Sequence, residues 1–257
     1  MFFKDFDSDL EEVLARMRDE GVYTLTVGTE LKTSKESVAL SEGRDGMYAT
    51  VGLHPNHAKD EEFDRAEYTR LAMNPSVVAI GECGIDYFRL EGDIQEERKR
   101  QFNLFEEHID LALERDVPLM IHARPSKGSM DAYLDIHAVI SERQKSVGDK
   151  LRGNMHFFVG SIDVARMFYD IGFTTSFTGV LTFTHDYDDV VKYAPLDMIL
   201  SETDAPFAAP EPFRGRRNEP AHVKYVVDAI ARIRGVSERT IQAAVFENAR
   251  RVFSLNS

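Results

Sequence analysis

Apolar positions recur along the chain with two alternating periods. Residues 8–20 (SDLEEVLARMRDE) put Leu10, Val13, Leu14 and Met17 on one face of a helix, with Asp7 or Ser8 as its cap and Gly21 as its stop. Short apolar runs of strand-forming residues follow at 22–27, 47–53, 77–81, 118–122, 153–158, 173–177 and 197–201. Amphipathic helical stretches lie between most of them, at 32–43, 60–73, 93–115, 129–146 and 161–171, and two more, at 220–234 and 237–252, close the chain. Strands that alternate with helices pair in parallel and are covered by helices on their faces. A doubly wound sheet and a closed barrel both satisfy that alternation. The count favours a TIM-type (β/α)8 barrel lacking its first strand, because seven strands follow an opening helix. Residues 1–6 (MFFKDF) are too short and too charged for a buried strand. No linker, repeat or low-complexity stretch interrupts the pattern, so residues 1–257 are expected to form one domain.

Parallel barrels carry their chemistry at the C-terminal ends of the strands. Five of the apolar runs meet ionisable groups there: MYATVGLHP reaches His54, VVAIGECGIDYFR reaches Glu82, PLMIHARPS reaches His122, GNMHFFVGS contains His156, and DMILSETDAP reaches Glu202 and Asp204. Any one of these histidines alone reads more readily as a hydrogen-bonded loop residue than as a ligand, and Glu202 and Asp204 read as a helix cap and a surface acid. Together they form a donor set suited to divalent cations. Glu82 is the sharpest case. It follows a fully apolar stretch and is flanked by Gly81 and by Cys83–Gly84, so a metal ligand is one reading and a pair with Arg89 or Arg124 the other. Cys83 reads as a small buried packing residue. The segment PFRGRRNEP supplies Arg214, Arg216 and Arg217, either as a phosphate clamp to which Arg89 and Arg124 add or as a solvated loop.

Composition narrows the partners. The chain is 43% hydrophobic and 29% charged, the profile of a soluble globular protein, and no apolar run approaches the length of a membrane span. The acidic start is unlike a secretory signal and a single cysteine excludes an intrachain disulfide, so a cytoplasmic location is expected. A net charge of −13 repels polyanions at long range, so a nucleic-acid substrate has to be held by local arginines or by cations.

The motifs GLHPNHA, AIGECGIDYFR, MIHARPS, HFFVGS, GFTTSFTGVLTF, LSETDAPFAAP, RGRRNEP and ENARRVFSL, in that order, resemble the TatD family of metal-dependent deoxyribonucleases. The resemblance runs from about residue 5 to about residue 255. It implies a TIM-type barrel with a two-metal site, in which Glu82 bridges the metals, His122 and His156 bind one of them, and Asp204 binds the other and takes the proton of the attacking water. His54 becomes a neighbour of the metals or a contact to substrate, and the arginine segment a loop beside the pocket. The implied activity is exonucleolytic hydrolysis of DNA ends, mostly 3′ to 5′, with one or two Mg²⁺, Mn²⁺ or Zn²⁺ ions. Some members act on other esters.

The chain departs from the family at its start. Family members open with a strand ending in His-x-His, which gives two ligands to the metal shared with the Asp204 position. No histidine precedes His54 here, and FKDFDSDLEEVLARMRDEGV resembles the segment just downstream. One metal position therefore keeps Glu82, His122 and His156, and the other keeps Glu82 and Asp204, an arrangement that suits Mg²⁺ or Mn²⁺ held partly by substrate phosphate. Three readings follow: a longer natural chain, a short form that is weakly active or runs on one metal, or a non-catalytic relative that binds nucleic acid or another phosphorylated ligand. A monomer is expected, or a dimer if the absent strand leaves an open seam.

Overall fold

A computed structural model describes residues 4–57 and 61–255. Its elements run α1 (Leu10–Asp19), β1 (Thr24–Val27), α2 (Leu31–Ser41), β2 (Met47–Val51), α3 (Arg65–Ala72), β3 (Val77–Asp86), α4 (Ile94–Arg115), β4 (Leu119–Arg124), α5 (Asp131–Val147), β5 (Gly153–Met155), α6 (Ile162–Asp170), β6 (Thr174–Phe177), α7 (Asp188–Tyr193), β7 (Ile199–Ser201), α8 (Val223–Arg234) and α9 (Glu238–Phe253). All seven expected strands are present. Lys4–Phe6 form a short 3-10 turn rather than a strand, and residues 1–3 lie outside the described residues. Among the described residues no helix is long and apolar enough to cross a membrane.

The chain divides into two compact units, residues 25–156 with 167–173, and residues 1–24, 157–166 and 174–257. In the first, β1 to β5 follow one another in chain order, and β2 to β5 pair in parallel. Val77, Ala79, Ile80, Leu119 and Ile121 are buried, neighbours along the strand included, as a parallel sheet covered on both faces requires. The buried face of α4, with Leu104, Phe105, Ile109 and Ala112, covers this sheet. In the second unit β6 pairs in parallel with β7.

The strand β3 runs five residues beyond the apolar stretch that announced it. Past Gly81 the backbone stays paired with β4 through Cys83↔Ile121, Gly84↔His122, Ile85↔Ala123 and Asp86↔Arg124. The register shifts between Ile80 and Cys83, a bulge that re-aims the side chain of Glu82. Both glycines are forced. Gly84 has φ +132, and a Cβ there would overlap the His122 carbonyl oxygen. A Cβ on Gly81 would overlap the Met120 carbonyl, and one on Gly52 would stand 2.7 Å from the Gly81 carbonyl carbon. Three strands thus approach more closely than any side-chain-bearing residue allows.

In the second unit the opening helix is tied down by charge. The cap of α1 is Asp9, not Asp7 or Ser8, and its carboxylate makes no capping bond. Arg217 takes it instead, in a two-pronged contact at 2.6 Å on each oxygen, and also donates to Glu219 at 2.9 Å. Arg16 of α1 donates to both oxygens of Glu219. Arg217 and Arg16 hold the Asp9 carboxyl below its ordinary range. Burial opposes ionisation of Glu219, but the same two arginines outweigh it. The short α7, at six residues, has no visible period in sequence.

Two outcomes test this account. Gly84→Ala is expected to lower the free energy of unfolding by about 3 kcal/mol or more through overlap and a disallowed φ, whereas Gly92→Ala, whose added Cβ meets nothing within 4 Å, costs only about 1 kcal/mol. Urea melts of the two variants decide it. Carboxyls with depressed values stabilise the fold above their unfolded values and lose that effect as pH falls. The thermal midpoint of Arg217→Ala should therefore lie below that of the wild-type protein at pH 7, and the gap should shrink below about pH 4, the ordinary carboxyl range.

Candidate metal centre

Four strand ends of the first unit bring the sequence-predicted groups together. His54 follows β2, Glu82 sits on the β3 bulge, His122 lies on β4, and His156 stands just past β5. The backbone fixes each one. The His54 N–H donates to the Thr29 carbonyl, the Glu82 N–H to Gly28, and the His156 N–H to Ile121. One carboxylate oxygen, Glu82 Oε1, is the focus. It lies 2.9 Å from His122 Nδ1, 3.6 Å from His54 Nε2 and 3.9 Å from His156 Nε2. All four side chains are largely buried, and the His54 and His122 rings meet edge to face with centroids 4.3 Å apart.

Glu82 pairs with imidazoles, and neither Arg89 nor Arg124 is its partner in the contacts described. Both arginines are exposed and gather at Phe88 instead, with the guanidinium carbon of Arg124 4.1 Å and that of Arg89 6.0 Å from the ring centroid. Phe88 is itself half exposed. Cys83 is buried, and burial raises its thiol well above the ordinary value, so it stays protonated and unreactive.

The surroundings set the charges. Burial works against ionisation of Glu82, but His54, His122 and His156 outweigh it and hold the carboxyl well below its usual range. Burial, with His122 nearby, pushes His54 down to about 3. Burial also disfavours charge on His122, but Asp86 and Glu82 overcome it and raise the ring to about 9.

Sequence reasoning missed Asp86. It ends β3, is 2% exposed, and places Oδ2 3.2 Å from His122 Nε2. Asn56 donates to the same oxygen at 2.8 Å, and the Phe88 N–H donates to Oδ1 at 3.0 Å. Donor atoms of His54, Asp86 and His122 lie within 4.8 Å of one another, a group that can hold a metal ion. The one available signal was spacing: Asp86 is four residues beyond Glu82, so in an extended strand both carboxylates face the same side. Taking β3 to end at Gly81 hid it.

The donor set fits a divalent cation. Metal bonds of about 2.0–2.2 Å separate neighbouring ligand atoms by roughly 3–3.6 Å, close to the spread of nitrogens around Glu82 Oε1. A buried carboxylate ringed by imidazoles, one of them backed by a second carboxylate, is the usual chemistry of such sites.

Asp204 and the arginine segment belong to the second unit. Asp204 follows β7 with φ +55, a left-handed conformation that aspartate tolerates, and its carbonyl accepts from the Phe207 N–H. The fully buried Asn218 donates to the Thr203 and Phe207 carbonyls, tying this loop to the arginine segment. Glu202 accepts from the Phe157 N–H and the Ser176 hydroxyl. Of the three arginines, Arg217 is engaged with Asp9 and Glu219, whereas Arg214 and Arg216 are exposed, Arg214 lying 3.5 Å over the Phe183 ring.

Comparison with known proteins places this geometry. The family model described as TatD related DNase matches residues 1–254. The uncharacterised metal-dependent hydrolase YabD of Bacillus subtilis is 39% identical over 98% of this chain and 96% of its own. A Pantoea vagans protein named 3′-5′ ssDNA/RNA exonuclease TatD is 31% identical over 97% of this chain and 95% of its own. Among solved structures, YJJV, a TatD homologue from Escherichia coli K12, superposes with a TM-score of 0.86 at 26% identity, covering 99% of this chain and 95% of that one. The expected TIM-type barrel fold therefore holds, and the chain belongs to the TatD family of metal-dependent hydrolases.

Proposed function

We propose that residues 1–257 act as one hydrolase domain that cleaves phosphodiester bonds at the ends of DNA, 3′ to 5′, in the cytoplasm. The observation that carries this reading is the buried Glu82 carboxylate facing three imidazoles at the strand ends of a TatD-family fold. Likeness to a relative named as a 3′-5′ ssDNA/RNA exonuclease supports the substrate class.

In this reading Glu82, His122, His156 and Asp204 hold the cation, one or two of Mg²⁺, Mn²⁺ or Zn²⁺. When bound, it acidifies the attacking water and polarises the phosphoryl oxygen. Asp204 orients that water and accepts its proton. Glu82 and Asp86 hold His122 from either side of its ring, so the imidazole keeps one orientation. The exposed Arg89, Arg124, Arg214 and Arg216 supply the local positive charge that a chain of net charge −13 otherwise lacks. Arg217, already paired with two carboxylates, contributes by keeping the arginine segment in place.

The test is hydrolysis of a single-stranded DNA carrying a 5′ label, with Mg²⁺ or Mn²⁺, which should shorten the strand stepwise from its 3′ end. A chelator should abolish it, and Asp204→Ala should lower kcat by about 10²–10⁴-fold, the range for loss of a general base. Arg216→Ala should raise KM with little change in kcat. Activity that survives the chelator, or that Asp204→Ala leaves unchanged, overturns the proposal.

A further inference from the structure

We propose that Asn56 and Asp86 assign the two central imidazoles different tasks: His54 presents an N–H to an anionic oxygen of the substrate, and His122 meets the cation through Nδ1. This rests on the metal-dependent hydrolase reading above and deepens it.

Hydrogen-bond direction carries the argument. The Asn56 backbone N–H donates to His54 Nδ1 at 3.2 Å. A backbone N–H only donates, so Nδ1 keeps a lone pair and the proton of the ring sits on Nε2. That Nε2 points at the Glu82 carboxylate, 3.6 Å away. A protonated ring nitrogen does not ligate a metal. His54 therefore offers the centre a hydrogen-bond donor, which suits a phosphoryl oxygen as charge builds on it.

His122 is set the opposite way. Its Nε2 faces Asp86 Oδ2 at 3.2 Å, and an ionised carboxylate only accepts, so this nitrogen carries a proton. Nδ1, 2.9 Å from Glu82 Oε1, donates to that carboxylate by the same rule, and because Asp86 holds the Nε2 proton it is the Nδ1 proton that a cation arriving beside Glu82 displaces. Asp86 is locked in that duty. Asn56 Nδ2 occupies the same oxygen at 2.8 Å, and the buried Gln101 side chain clamps the Asp86 main chain on both sides, accepting from its N–H at 2.9 Å and donating to its carbonyl at 3.0 Å. Asn56 thus governs both rings, His54 through its backbone and His122 through its side chain and Asp86. It is a positioning residue, as is Asp86.

The experiment reads the ring nitrogens of the histidines by ¹⁵N NMR, before and after addition of Zn²⁺ as a diamagnetic probe. There are eight histidines, assigned by replacing each in turn. His54 should show an unprotonated Nδ1 and a protonated Nε2 in both states. Zinc should move the His122 Nδ1 resonance to a ligated position while Nε2 keeps its proton. By calorimetry, Asp86→Asn should weaken zinc binding about 10–100-fold and Asn56→Ala about 10-fold, the His54 pattern being retained in Asn56→Ala because the backbone donor remains. A His54 proton on Nδ1, zinc bound to His54 Nε2 or His122 Nε2, or unchanged zinc affinity in both variants overturns the inference. Absence of any zinc uptake by the wild-type protein overturns the metal reading and the His122 assignment with it, and the metal-free spectrum still decides His54.

Discussion

A carboxylate removed from water costs several kcal/mol unless charge or hydrogen bonds compensate it, and the arrangement of the first unit follows from where Glu82 has been put. The bulge in β3 turns its side chain among the imidazoles, and only glycine at 81 and 84 lets β3 lie close enough to β4 for that bulge to exist. Glu82 then needs compensation, and His54, His122 and His156 give it from three neighbouring strand ends. His122 needs compensation in turn, and Asp86 gives it. Asp86 draws in Asn56 and Gln101. Each group exists in its present form because of the one before it, a closed polar network of the kind that is rigid only when every member is satisfied.

The scaffold behind this network is as particular as the network. His108, fully buried on α4, accepts from the Leu53 N–H at 2.9 Å and contacts the Leu104 carbonyl at 2.7 Å through its other nitrogen. Burial pushes it down to about 4, so it stays neutral at physiological pH and both contacts persist. It fixes the residue just before His54. Around α1 the second unit relies on charge. Arg217 and Arg16 gather Asp9 and Glu219 around the start of α1, and Asn218 ties the Asp204 loop to the arginine segment. Such pairs are partly exposed and individually weak, but four charges that share partners hold a geometry that one pair would not.

The seven strands were legible because buried parallel strands are written as near-continuous apolar runs, and the long helices because their apolar stripes recur with period 3.6. His54, Glu82, His122 and His156 were legible because each is an ionisable group where an apolar run ends. What stayed hidden is what depends on partners distant in sequence. Asp86 stayed hidden because the apolar run ends at Gly81, whereas the backbone remains paired with β4 through Asp86 itself. Asn56 and Gln101 carry no charge, so nothing in their neighbourhood marks them. Asp9 stands among several acids at the start of the chain and is the partner of an arginine 208 residues away, which no local pattern announces. Arg214, Arg216 and Arg217 are indistinguishable in sequence, and only burial and pairing separate the engaged one from the two exposed ones.

The net charge of −13 and a nucleic-acid substrate are compatible on a scale argument. At physiological ionic strength charges further apart than about 8 Å are largely screened, so a substrate end senses the arginines beside the centre far more than the acids across the surface. A long duplex lying along the protein is in a different position, because each further phosphate has to find basic side chains of its own on a chain of net charge −13. A net negative charge thus weighs more on binding along a polymer than on binding at its end. Under the phosphodiesterase reading this bias favours removal of terminal nucleotides over internal cleavage, and it follows from the net charge of the whole chain.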